Sequence, residues 1–353
     1  MKRACLLFLT LLAGPAAAQS LEPTASAGLK MTDIQTIGTH NSYKVAIPPQ
    51  ELAMIRSRSE ESAKSLDYSH LPLAQQLDLG MRQLEIDVLY DPEGARYAAP
   101  VLPKMSGQPY NATGMDAPGY KVLHIPDVDV RSHCATLIRC LEIVRNWSDA
   151  HPRHVPILIM MNAKDGGPNV PGGVKALDYD AKAFDALDAE IRSVFGPDRL
   201  IAPDEVRGGH KSLREGALAG GWPSLEAARG KVFFALDENP KKVDIYMRGH
   251  ASLEGLPVFV NSVGEDAAHA AYFTMNDPVK QFDRIRAAVK AGFIVRTRAD
   301  DSTTEARTNH LSRFEKALAS GAQYISTDYP TPRSEWSPYS VRLPDGQAAR
   351  KRP

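Results

Sequence analysis

His40 and Asn41 close the apolar run IQTIG (34–38), inside the stretch IGTHNSYK. Glu85 and Asp87 stand two apart in QLEIDVL (83–89), and His124 stands in KVLHI (121–125). Three further polar pairs share that spacing: Asn162 with Lys164, Arg296 with Arg298, and Ser326 with Asp328. In a strand, residues two apart point to the same side. Each pair therefore offers two polar groups to one surface at the carboxyl end of its run.

These residue types together describe one kind of chemistry. Glu85 and Asp87, with the amides of Asn41 and Asn162, are oxygen donors for a hard cation, Ca2+ or Mg2+. Two histidines, His40 and His124, can divide general-base and general-acid duties near neutral pH. Lys164, Arg296 and Arg298 suit phosphate oxygens. The set points to metal-assisted cleavage of a phosphodiester. No G-x-S-x-G elbow, H-E-x-x-H motif or P-loop is present. Plainer readings stand beside this one. Glu85 and Asp87 could form an internal salt-bridge network with Arg82 or Arg296, His124 could be a satisfied core histidine, and the arginines could only balance the carboxylates.

A shared pocket needs elements that bring these ends together. Eight apolar runs of strand length occur: 34–38, 83–89, 121–125, 156–162, 231–237, 256–262, 293–299 and 322–327. Helix-patterned segments separate most of them. CATLIRCLEIVRNWSDAH places Leu137, Leu141, Val144 and Trp147 at helical spacing. YDAKAFDALDAEIRSVFG stops at Gly196, DPVKQFDRIRAAVKAG at Gly292 and TEARTNHLSRFEKALASG at Gly321. Strands alternating with helices predict a parallel sheet, and eight of them predict a closed (β/α)8 TIM barrel. Residues 91 to 119 are rich in Pro, Gly and Asn without helical period, so the barrel is expected to be distorted there. Residues 203 to 228 are also poorly periodic. In such barrels the chemistry sits at the carboxyl ends of the strands.

The chain has 353 residues, enough for one large domain. Residues 1–18 read as a secretory signal: Lys2 and Arg3, an apolar stretch from Leu6 to Leu12, then Ala16-Ala17-Ala18 before Gln19. Residues 19–30 are an N-terminal extension, 31–332 the barrel, and 333–353 a polar C-terminal tail. Cleavage leaves 40 basic residues against 42 acidic ones, without the basic excess of a nucleic-acid binder. The protein is expected outside the cytoplasm, secreted or periplasmic, as a monomer. Cys5 leaves with the signal. Cys134 and Cys140 remain as an even pair in an oxidising compartment, which predicts a disulfide. Two cysteines six apart cannot bridge within one helix, so Cys134 should lie in the loop or first turn and Cys140 inside the helix.

THNSY, QLEIDV, LHIPDVD, RTRADD and GAQYISTDYP, in this order, resemble the secreted bacterial, calcium-dependent branch of the phosphatidylinositol-specific phospholipase C superfamily. The resemblance runs over about residues 30 to 332. It implies a distorted (β/α)8 barrel and a phospholipid substrate met at a transient membrane surface. His40 resembles the acid/base histidine that stabilises the pentacoordinate phosphoryl transition state, and His124 its partner that protonates the leaving alkoxide. Asn41, Glu85 and Asp87 resemble calcium ligands, with Glu85 also able to orient or deprotonate the inositol 2-hydroxyl. Lys164, Arg296 and Arg298 then suit the inositol phosphate. The family's reaction gives a cyclic inositol phosphate and diacylglycerol. One departure is Asn162, where eukaryotic relatives carry an acid; Asp165, Asp127 and Asp129 are substitute candidates.

Two other functions fit less of the pattern. A glycerophosphodiester phosphodiesterase shares the barrel and its Glu-x-Asp, but usually begins His-Arg-Gly where this chain has His40-Asn41-Ser42. A non-catalytic barrel that binds lipid head groups would not need both histidines.

Overall fold

The computed structural model describes residues 27–353. The secretory-signal reading of residues 1–18 lies outside them. Eight parallel strands form the barrel: β1 (Ile34–Thr39), β2 (Gln83–Val88), β3 (Ile157–Ala163), β4 (Val232–Leu236), β5 (Val258–Val260), β6 (Tyr272–Thr274), β7 (Ile294–Arg298) and β8 (Tyr324–Thr327). They run β5-β4-β3-β2-β1-β8-β7-β6. The ring closes between β5 and β6 through a single parallel bridge, Asn261 to Tyr272. The Asn261 side chain reinforces this thin seam, accepting from Thr274 N at 2.9 Å and donating to Asp237 Oδ1 at 2.9 Å. The fold is a distorted (β/α)8 barrel.

Strands buried on both faces explain the near-continuous apolar runs. Leu84, Ile86 and Val88 of β2 face outward into the main hydrophobic core, with the helix Leu137–Ala150 and its Leu141, Val144 and Trp147. Glu85 and Asp87 take the alternate, inward positions. The lower barrel is filled by side chains. Phe233 of β4 meets Tyr324 of β8 edge to face at 5.5 Å, and Tyr272 of β6 donates to Met160 of β3 at 3.2 Å. Between β1 and β2 only Gly38 and Gln83 are in register. A Cβ on Gly38 would lie 2.4 Å from Gln83 Cβ, so this close approach requires glycine.

Two strand expectations need correction. Residues 121–125 are not a barrel strand. Lys121 pairs antiparallel with Leu89 and Thr136, and Ile125 with Asp129, in an excursion between β2 and β3. The run is apolar because Val122 and Leu123 are buried, and a short buried ribbon has the same alternation as a barrel strand. The missing strand is β6, only three residues long and too short to show a period.

The helix expected over 304–321 is broken into Thr304–Thr308 and Ser312–Ser320, with Asn309 between them in the left-handed region at φ 53°. The poorly periodic stretch 203–228 holds three short helices, Pro203–Arg207, Leu213–Leu218 and Leu225–Ala228. Residues 333–353 also have a packed place. Tyr339, Val341 and Leu343 are buried in a second core, and β9 (Ala349–Lys351) pairs antiparallel with Ile34–Thr36 of β1. The Cys134–Cys140 disulfide forms as expected, with Cys134 before the helix and Cys140 inside it.

Candidate active site

His40 follows directly on β1, its backbone N–H held by Thr327 O at 3.2 Å. Its Nδ1 lies 2.9 Å from Asp328 Oδ1, and its Nε2 lies 3.6 Å from Glu85 Oε1. The Tyr68 ring stacks on it at 5.8 Å. Burial and the Arg298 guanidinium hold the imidazole below its ordinary value, against the pull of Asp328 and Glu85. Burial opposes ionisation of Asp328 as well. His40, His70 and Arg298 outweigh it and keep that carboxyl far below the usual range.

Glu85 is the next inward group. Its Oε2 accepts from Arg296 Nη2 at 2.6 Å. These residues belong to β2 and β7, which are not neighbours, so the pair spans the barrel interior. Arg296 also bonds Asn276 and is almost fully buried. Arg298 donates to Asp328 Oδ2 at 3.1 Å. Both arginines are thus paired with carboxylates. Lys164 is the most open of the three cations, with its side chain 37% exposed and Nζ 3.1 Å from Asp87 Oδ2.

His124 reaches the mouth from the loop after β2. The tight turn Ile125–Asp129, with Asp127 at φ 69°, folds Asp129 back beside it. Asp129 Oδ2 lies 2.9 Å from His124 Nδ1. Burial works against the Asp129 charge, but Lys44 and His124 offset it and hold the carboxyl below its usual range. Asp127 caps loops instead, accepting from Val101 N at 3.1 Å and Val174 N at 2.7 Å. Asp165 pairs with Lys242 at 3.0 Å.

The fit to a cation rests on Asp87. It is fully buried; Lys164 Nζ lies 3.1 Å from its Oδ2, and no hydrogen bond of regular geometry reaches its Oδ1 among the described residues. Burial raises its carboxyl above the ordinary value in spite of Lys164. Asn162 sits beside it in register on β3. Asn41, buried and at φ 47°, has its Oδ1 approached only loosely by Tyr43 OH at 3.5 Å. Among the described residues no group of three or more His, Cys, Asp or Glu forms a metal cluster. The candidate donors here are two carboxylates and two amides, all hard oxygens, which suits Ca2+.

Asp328, Lys44, Tyr68 and His70 were not singled out as site residues from sequence, and Asp129 was named only as a substitute metal ligand, not as the partner of His124. Asp328 had a signal in its i, i+2 spacing from Ser326. Lys44 had none, because its partner lies 85 positions away.

The family model for Ca2+-dependent phosphoinositide phospholipase C matches residues 29–353. The chain belongs to this family. As a phosphoinositide phospholipase C it is a phosphodiesterase, and the family is calcium-dependent. Its fold resembles the calcium-dependent phosphoinositol-specific phospholipase C of a Gram-negative bacterium, Pseudomonas sp. The apo form of that enzyme has a TM-score of 0.59 and 19% identity, over 94% of this chain and 98% of the other. Its myoinositol complex matches with a TM-score of 0.58 and 19% identity, over 95% and 100%. The Ca2+-dependent phosphatidylinositol-specific phospholipase C of Streptomyces antibioticus has a TM-score of 0.53 and 19% identity, over 85% and 95%. No curated protein sequence matches the chain.

Proposed function

We propose that this phospholipase C cleaves phosphatidylinositol-type lipids at the glycerol–phosphate bond, with attack by the inositol 2-hydroxyl. The products are diacylglycerol and a cyclic inositol phosphate. The observation that carries this is His40 placed between Asp328 and Glu85. Asp328 takes the Nδ1 proton as a hydrogen bond, so Nε2 is the atom left to accept the 2-hydroxyl proton. An imidazole held below its ordinary value is neutral near pH 7 and ready to do so. Glu85 is a weaker base. Burial favours its neutral form, but His40 and Arg296 keep its carboxyl below the usual value, so it orients and binds rather than taking the proton.

His124, with Nδ1 on Asp129, donates a proton from Nε2 to the glycerol oxygen as the P–O bond breaks. Arg298 and Lys164 face the phosphate. Asn41, Glu85, Asp87 and Asn162 would hold Ca2+, which supplies positive charge against the developing negative charge on the phosphoryl oxygens.

The lipid is met at a membrane surface, transiently and by a monomer, and not by a nucleic-acid-binding face. Five exposed apolar residues, Leu71, Met105, Val263, Val279 and Leu311, lie on segments that follow β1, β2, β5, β6 and β7. Exposed apolar side chains of this kind support contact with a lipid surface. Among the described residues no helix is long and apolar enough to cross a membrane. The secretory signal read from residues 1–18 supports a periplasmic or extracellular location.

A phospholipid panel with and without calcium tests the proposal. Phosphatidylinositol should yield diacylglycerol and cyclic inositol phosphate only with calcium. Release of another head group, or full activity in chelator, defeats it.

A further inference from the structure

Lys44 is fully buried, four residues past His40. Its Nζ lies 3.0 Å from Asp129 Oδ1 and 2.8 Å from Asp129 Oδ2. On the other side it stands 5.0 Å over the Tyr68 ring, the same ring that stacks on His40. The backbone fixes its place: its N–H bonds Asn41 O at 2.9 Å, its carbonyl accepts from His70 N at 3.0 Å, and it bridges antiparallel to Ser132. Taking an ammonium out of water costs several kcal/mol, and an apolar side chain of similar volume would pack at least as well. A lysine here therefore needs a reason beyond packing. Asp129 supplies one, because its second contact is His124.

We propose that Lys44 is a positioning residue for protonation of the leaving group. It fixes Asp129 as a carboxylate in one orientation, and Asp129 fixes His124 with Nδ1–H turned inward and Nε2 toward the substrate. In the step, the bond from phosphorus to the glycerol oxygen breaks and its electron pair stays on oxygen. The proton on His124 Nε2 moves to that oxygen. Lys44 keeps its own proton throughout. This inference rests on the role proposed above for His124.

The test uses two substrates that share the inositol phosphate and differ in leaving group. The glycerol alkoxide of phosphatidylinositol needs a proton to leave. The p-nitrophenolate of an inositol phosphate aryl ester does not. For Lys44→Met we expect kcat on the lipid to fall about 100-fold, and on the aryl ester no more than about 5-fold, with KM within about 2-fold on both. A merely structural lysine lowers both rates alike, and that result, or no loss on the lipid, overturns the proposal. Should Lys44→Met fail to fold, Asp129→Asn must show the same selective loss, and an equal loss on both esters overturns it. A wild-type enzyme inactive on both esters defeats the phospholipase reading itself, and this role with it.

Discussion

Asp328 lies 2.9 Å from His40 Nδ1 through its Oδ1, while its Oδ2 accepts from Arg298. One carboxylate thus sets the tautomer of the histidine and anchors the neighbouring cation. Asp328→Asn should lower kcat by about 10²–10⁴-fold with little change in KM, because the amide can present the wrong hydrogen-bonding atom to Nδ1. Steady-state kinetics on phosphatidylinositol check this. A change confined to KM would assign Asp328 to binding.

The pH profile follows from the same contact. The His40 imidazole lies below its ordinary value of 6.5, so kcat/KM should hold through pH 7 and fall only as the pH drops through a lower value. Asp328 acts to raise that value, so residual activity of Asp328→Asn should fall at a still lower pH. An acid limb centred above the ordinary histidine value would contradict the base role.

Asp87 should behave as a cost without calcium. Its folded value is raised, so its contribution to stability is present below the unfolded carboxylate value and lost as pH rises through the folded one. At neutral pH in chelator, Asp87→Asn is expected to melt a few degrees above wild type. With calcium added the order should reverse, and the calcium needed for half-maximal stabilisation should rise about 10-fold or more. Melting curves in chelator and in a calcium series decide this without any activity assay.

Asp300 offers a second pH test. Burial and the Asp328 charge raise its carboxyl from 3.8 to about 7. It accepts from Thr327 Oγ1 and, at 3.2 Å, from Tyr339 OH. Stability from this group is fully present below pH 3.8 and lost as the pH rises through about 7. Wild type should therefore lose melting temperature between pH 5 and pH 8, and Asp300→Asn should lose less. Calorimetry at the two pH values is the check.

The disulfide closes a loop of six residues, for which chain entropy gives about 2 kcal/mol. Replacing both Cys134 and Cys140 by serine should lower the melting temperature by a few degrees and leave kcat within about 2-fold. A large loss of kcat would mean that the Cys134 loop also positions His124, which lies ten residues before it.

Local pattern carried much of this protein in the sequence. Seven of the eight strands showed as apolar runs, because parallel strands buried on both faces must be apolar nearly throughout. Glu85 and Asp87 stood out because a strand that buries Leu84, Ile86 and Val88 on one face has no packing reason to carry acids on the other. His40 was visible as a polar stop after an apolar run. Tertiary structure decided what those groups touch. The pairing of Glu85 with Arg296 spans 211 positions, and that of His40 with Asp328 spans 288. No local spacing encodes such contacts; they exist only once the barrel closes. For His124 the folded chain corrected only the element that carries it. Its buried neighbours mimic a strand, yet its place depends on a turn that sets Asp129 against it and on Lys44, a charge whose burial only the folded chain reveals.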